Sequence, residues 1–196
     1  MEIIYEIPYN RILSRLGYRK TSSSVLNCRL DVIKSIIEEA ASYISLRGTY
    51  SVFRVTPAEN GFILPGGELI AGTLPAALAA SSASAMIMAA TSGREITEKI
   101  GELQKENMEK AVIFDAAASE ITDCGLEWLV RYASNMLKRE GKTVGRRRFS
   151  PGYGDFALSN QKIFYRLLEL EKLDITLSES CILIPEKSVI AVTGVN

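Results

Sequence analysis

The sequence predicts an α+β fold, in which helices pack on a mixed, largely antiparallel sheet. Helix-like and strand-like segments are interleaved without the regular rhythm of a parallel βαβ sheet. Short runs rich in β-branched and aromatic residues are separated by tight-turn residues at Glu59–Gly61 and Pro65–Gly67, as antiparallel pairing requires. A chain of 196 residues that is 47% hydrophobic can also fill one core. A single domain over 1–196 is expected, with 1–48 as a helical N-terminal part packing on the α+β core. No internal repeat or linker divides it.

Pro8–Tyr18 reads as a short helix with Ile12, Leu13 and Leu16 on one face and Gly17 as its C-cap. Arg19–Ser24 is a polar, serine-rich loop. Leu30–Leu46 reads as an amphipathic helix with Ile33, Ile36, Ile37, Ala40 and Ile44 inward, ended by Arg47 and Gly48. Tyr50–Val55, Phe62–Leu64 and Glu68–Ile70 are strands. Leu74–Ser82 is a small-residue helix, Ala85–Ala90 a buried strand and Glu95–Asn107 an amphipathic helix. A long helix starts at Lys110, with Val112, Ile113, Ala116, Ala117, Ile121, Cys124, Trp128, Leu129, Tyr132 and Met136 at helical spacing. Thr143–Phe149 reads as a short strand. Ser159 is expected to cap a helix reaching about Leu170, with Leu158 and Ile163 as its staple. Thr176–Leu177, Cys181–Ile184 and Ser188–Val195 complete the strands.

Composition excludes several classes of function. Lys plus Arg and Asp plus Glu are 23 each, so no global field recruits nucleic acid or an anionic membrane. The local exception is Lys142–Arg148, where four of seven residues are cationic. Without a histidine, Ser-His or Cys-His nucleophiles and imidazole metal ligands are impossible. Cys28, Cys124 and Cys181 are scattered and form no CxxC pair, which fits reduced thiols in a cytoplasmic protein. Leu69–Gly93 carries no charge, but it is mostly Ala, Ser, Gly and Thr and contains Pro75. It therefore reads as a helix followed by a buried strand rather than a membrane span. No glycine-rich dinucleotide loop, Walker lysine or metal-ligand cluster is present.

Two stretches carry candidate chemistry. In Arg146-Arg-Arg-Phe-Ser-Pro-Gly-Tyr153, an arginine fork suits a carboxylate or phosphate, and Pro-Gly exposes backbone groups at a turn. Tyr153 adds a ring face. Taken alone, a turn with a solvated basic flank accounts for these residues as well. In Leu177-Ser-Glu-Ser180, Glu179 lies between apolar strands. It suits a ligand ammonium, an arginine partner or solvent equally. Asp115 reads as favourable charge early in a helix.

The order of segments resembles the activation domain of vitamin B12-dependent methionine synthase, in a free-standing form. Arg148-Phe-Ser-Pro-Gly-Tyr153, the helix from Gln161 to Leu170, Leu177-Ser-Glu-Ser180 and Ile184-Pro-Glu-Lys-Ser-Val189 follow that family's R-x-x-PGY, helix, LTES and P-x-x-SV series. Leu13-Ser-Arg-Leu-Gly-Tyr18, Ala89-Ala-Thr-Ser-Gly93 and Phe114-Asp-Ala-Ala-Ala-Ser119 are similar to its free-standing members. The resemblance implies binding of S-adenosylmethionine and support for reductive remethylation of cob(II)alamin. The cobalamin would be held by a separate methionine synthase or another corrinoid protein, with a flavodoxin-type reductant. It further implies that Arg148 grips the ligand carboxylate and that Ser150, Gly152 and Tyr153 line the site, with Glu179 as a further contact. No catalytic or metal-ligating residue is implied on this chain. A cofactor-free module docking on a corrinoid protein, or an activator of another corrinoid methyltransferase, is the alternative. The chain departs from the family where large methionine synthases place an aromatic pair on the last strand, since Val192-Thr193-Gly194 stands there. No counterpart of their early ligand-contacting aspartate is found near Tyr9-Asn10-Arg11.

Overall fold

The computed structural model describes residues 1–18 and 24–196, with side chains for 1–18 and 29–196. The polar loop expected at Arg19–Ser24 and the side chain of Cys28 lie outside the described residues, apart from the backbone of Ser24.

The elements run α1 (Tyr9–Arg15), α2 (Ser24–Ser42), β1 (Arg47–Arg54), β2 (Thr56–Ala58), β3 (Gly61–Ile63), β4 (Leu69–Ala71), α3 (Thr73–Ser81) and β5 (Ser84–Thr91). These are followed by α4 (Arg94–Glu106), α5 (Met108–Leu137), α6 (Gln161–Leu167), β6 (Thr176–Leu177), β7 (Leu183–Ile184) and β8 (Ser188–Val195). All strand pairs are antiparallel, in sheets ordered β1-β5-β8, β2-β3-β4 and β6-β7. The α+β architecture expected from the sequence is the one observed.

β5 organises the rest. Ala85 to Thr91 are fully buried, so both faces of this central strand must be covered. Met86, Met88 and Ala90 face α5, packing with Leu126 and Leu129. Ala85, Ile87 and Ala89 face a second core built from Phe62, Ile70, Leu78, Phe156 and Phe164. Alternation along one strand thus fills two cores. A third cluster joins α1, α2 and α4 to the first half of α5, through Ile12, Ile37, Ile96 and Phe114.

Several boundaries differ from the sequence expectations. α2 begins at Ser24, not Leu30, and ends at Ser42; Arg47 and Gly48 open β1 instead of closing the helix. Ser159 caps nothing: Leu158–Asn160 form one 3₁₀ turn and α6 stops at Leu167. Asn160 spends its amide on the Ala157 carbonyl at 2.9 Å, which stabilises that turn in place of a cap. On α5, Val112, Tyr132 and Met136 share the helical period but face outward. A 30-residue helix turns apolar stripes to more than one side, and the sequence does not say which side is covered.

Gly125 marks the closest approach of α5 to the sheet. A Cβ there would sit 3.0 Å from the Ala90 Cβ and 3.1 Å from a Leu46 methyl. Gly125→Leu is therefore expected to destabilise by about 1–3 kcal/mol through overpacking, read as a lower urea midpoint at unchanged slope. Gly101→Leu, whose Cβ would meet open space, serves as the control for helix propensity.

Candidate functional site

Residues 143–149 add an interrupted fourth strand to the β8 edge. Thr143 and Asn196 exchange backbone hydrogen bonds, and so do Phe149 and Val192. The register closes at Val144 opposite Val195 and again at Phe149 opposite Val192. Six residues on one side, 144–149, thus face four on the other, 192–195, so the expected continuous strand is replaced by a bulge at Arg146–Arg148. Thr193 holds the bulge. Its fully buried hydroxyl lies 3.0 Å from the Gly145 carbonyl and 2.8 Å from the Arg147 carbonyl.

Thr193 lies on the same face of β8 as Ala191 and Val195, the face that packs on α5. The bulge brings Arg148 to this face, and its Nη2 donates to both oxygens of Asp123 at 2.7 and 2.8 Å. Asp123 belongs to an acidic stripe on α5, with Glu120 and Glu127 three and four residues away. Arg11 of α1 binds all three, at 2.9 Å to Glu120, 2.5 Å to Asp123 and 2.8 Å to Glu127. Burial works against the Arg11 cation, but Asp123, Glu127 and Glu120 outweigh it and raise its pKa. Cys124 sits in the same stripe. Burial raises its thiol pKa, and the carboxylates offset the opposing pull of Arg11. It is therefore a poor nucleophile.

The 150–156 turn follows directly. Gly152, at φ +100°, donates to the Phe156 carbonyl at 2.7 Å, and Tyr153 donates to Ser150 at 3.3 Å. Asp155 then ties the turn to the start of α3. Its carboxylate accepts from the Thr73 amide at 2.9 and 3.1 Å and from the Thr73 hydroxyl at 2.9 Å. Phe149, Phe156 and Phe164 stack edge to face below.

A cleft of about 1170 Å³ opens here, bounded by α3, the Arg146–Tyr153 segment, β8 and Asp123 on α5. Of the residues expected to form a site, Arg148, Ser150 and Tyr153 line it. Gly152 shapes the turn between them. Tyr153 presents its ring with 68% of the residue exposed. Glu179 is exposed in the β6–β7 turn, where Ser178 bonds Ser180 and Ile182, and it does not line the cleft. A Cβ on Gly194 would fall 2.1 Å from the Ser82 hydroxyl, because the end of α3 already fills that space.

Asp123 and Gln161 also line the cleft, and neither was singled out from sequence. The signal for Asp123 was the i, i+3, i+4, i+7 spacing of Glu120, Asp123, Cys124 and Glu127. Nothing local announces Gln161.

Three of the other sequence motifs meet elsewhere, at the far end of β5. Lys187, whose side chain is only 10% exposed, donates to Asp115 at 2.6 Å and approaches Ser119. Ser188 bonds Thr91, and Ser92 bonds Thr122. Asp115 thus neutralises a nearly buried lysine two turns into α5, in place of the helix-terminus role expected of it. Among the described residues no group of His, Cys, Asp or Glu could hold a metal, and no helix is long and apolar enough to cross a membrane.

Asp155 yields a pH test. Its hydrogen bonds from Thr73 lower its pKa below the ordinary 3.8. A depressed folded pKa contributes stability above the unfolded pKa and loses it as pH falls through the folded value. The difference in denaturation midpoint between wild type and Asp155→Ala is thus expected at neutral pH and should shrink below pH 3.8. A difference that stays constant through that range contradicts this.

No protein-family model and no curated protein matches the sequence. Among solved structures, the chain is similar to the MetH reactivation domain bound to AdoHcy. The TM-score is 0.69 at 14% identity, covering 99% of this chain and 77% of that one. The chain therefore has the fold of the MetH reactivation domain.

Proposed function

We propose that this protein binds S-adenosylmethionine and acts as an activation protein for a separate B12-dependent methionine synthase, supporting reductive remethylation of its cob(II)alamin. One juxtaposition carries this reading. A chain with the reactivation-domain fold presents a cleft built on the very segment that resembles that family's R-x-x-PGY run, and its arginine has guanidinium donors to spare. The hydrogen bonds of Arg148 among the described residues all leave from Nη2, and neither Nε nor Nη1 is a buried unpaired atom. That leaves N–H donors of Nε and Nη1 on either side of the Nη2 that Asp123 holds, so the guanidinium can donate to a ligand carboxylate while Asp123 keeps it in orientation.

The other parts of the cleft suit the rest of such a ligand. The exposed Tyr153 ring offers a face to a heterocycle. The backbone at Ser150 and Gly152 allows close approach beside it. The bound ligand supplies the methyl group. The cobalamin and its protein ligands belong to the partner, consistent with a chain that has no histidine. The electron comes from a flavodoxin-type reductant.

A second reading, a cofactor-free docking module for a corrinoid protein, draws on β8. There Thr193 is consumed by the bulge, and a side chain at Gly194 would meet Ser82, so the strand offers the cleft no aromatic ring.

The two readings separate in a turnover assay, using a B12-dependent methionine synthase that lacks its own activation domain. With reductant and S-adenosylmethionine, the wild-type protein is expected to prolong turnover. Arg148→Ala is expected to lose that support, and AdoHcy affinity is expected to fall about tenfold or more. Equal support from Arg148→Ala favours the docking module. No effect of the wild-type protein contradicts both.

A further inference from the structure

The cleft is charged in a particular way. Its one anchored cation, Arg148, lies against a carboxylate, Asp123, that lines the same cavity. An ionised carboxylate offers about four acceptor positions. Three are used on Asp123: Oδ2 accepts from Arg11 and Arg148, and Oδ1 from Arg148 alone. One position on Oδ1 remains. The side chain of Asp123 is 40% exposed, so that position is within reach of a ligand. Gln161, on the α6 side, provides a second and independent sign. It lines the cleft, it is 9% exposed, and its buried Oε1 has no hydrogen-bond partner. A buried acceptor left unpaired is costly, and an N–H donor from a ligand removes that cost. A site made only for a carboxylate or phosphate would need donors. This one also presents an unused acceptor on Asp123, with a second, buried one behind it on Gln161.

We infer that Asp123 is a specificity-determining residue that accepts the α-ammonium of the ligand beside the carboxylate held by Arg148, so that the cleft selects an amino-acid zwitterion over a simple carboxylate. This deepens the proposed function and rests on it. It moves the ammonium contact from Glu179, in the β6–β7 turn, to α5. Arg11 is then a positioning residue: by sharing Asp123, Glu120 and Glu127 it keeps the acidic stripe neutralised and Asp123 in place when no ligand is bound.

Calorimetry with two probes tests it: AdoHcy, and the same molecule with its α-amino group replaced by hydrogen. Wild type is expected to bind AdoHcy about tenfold or more tightly than the deaminated probe. Asp123→Asn is expected to lose most of that preference, weakening AdoHcy by a clearly larger factor than the deaminated probe. Glu179→Gln, exposed in the β6–β7 turn outside the cleft, is expected to keep the preference. Equal affinity of wild type for the two probes overturns the inference and leaves ligand binding standing, whether or not Asp123→Asn folds. So does an Asp123→Asn variant that weakens both probes by the same factor, which is what a purely structural role produces. Wild type that binds neither probe overturns the proposed function itself, and this inference falls with it.

Discussion

The complete burial of β5 is the constraint on which the rest depends. A strand with no solvent face needs a cover on each side, and the chain supplies α5 on one and α3 with the small β2–β3–β4 sheet on the other. With β1 on one side of it, β8 is left with its far edge free. An open edge exposes unpaired backbone groups. Residues 143–149 close it, but only at their two ends. The unpaired middle is what projects Arg148 toward α5 and starts the turn that carries Tyr153. The cleft is thus a product of edge closure by a segment too long for its partner strand.

Electrostatics then fixes the orientation of the parts. Arg11, Glu120, Asp123, Glu127 and Arg148 bring three elements together, α1, α5 and the bulge. Surface pairs of this kind contribute little individually. Their value here is geometric, because a guanidinium held by one nitrogen keeps the others pointed in a set direction. The Lys187–Asp115 pair does similar work at the other end of β5, where a nearly buried cation needs a counter-charge. Motif segments separated widely in sequence therefore converge on two places, one a cleft and the other a packed polar junction.

Much of the fold was legible in the sequence. The uncharged run at Ala85–Ala90, the small-residue helix before it and the strand Ser188–Val195 are where periodicity placed them, because burial and period leave direct marks on residue choice. What escaped was decided by tertiary partners. The interrupted pairing at 143–149 depends on a hydroxyl of Thr193, some 45 residues away in sequence. The missing cap at Ser159 reflects a side-chain bond of its neighbour Asn160. In the cleft, Arg148, Ser150 and Tyr153 were visible because turn chemistry and charge cluster locally. Asp123 was hidden in a helix whose acidic stripe resembles any solvated face until Arg148 is seen to reach it. Glu179 attracted notice by its apolar flanks, but the hairpin turns it outward.

The most direct measurement is a titration of the isotope-labelled protein with AdoHcy, followed by backbone amide resonances. A ligand seated as described shifts the amides of Arg146–Tyr153 and the α5 turn around Asp123 in one saturable event, and leaves the β6–β7 turn around Glu179 unchanged. Absence of saturable shifts, or shifts centred on that turn and not on the cleft, would contradict the assignment of the site.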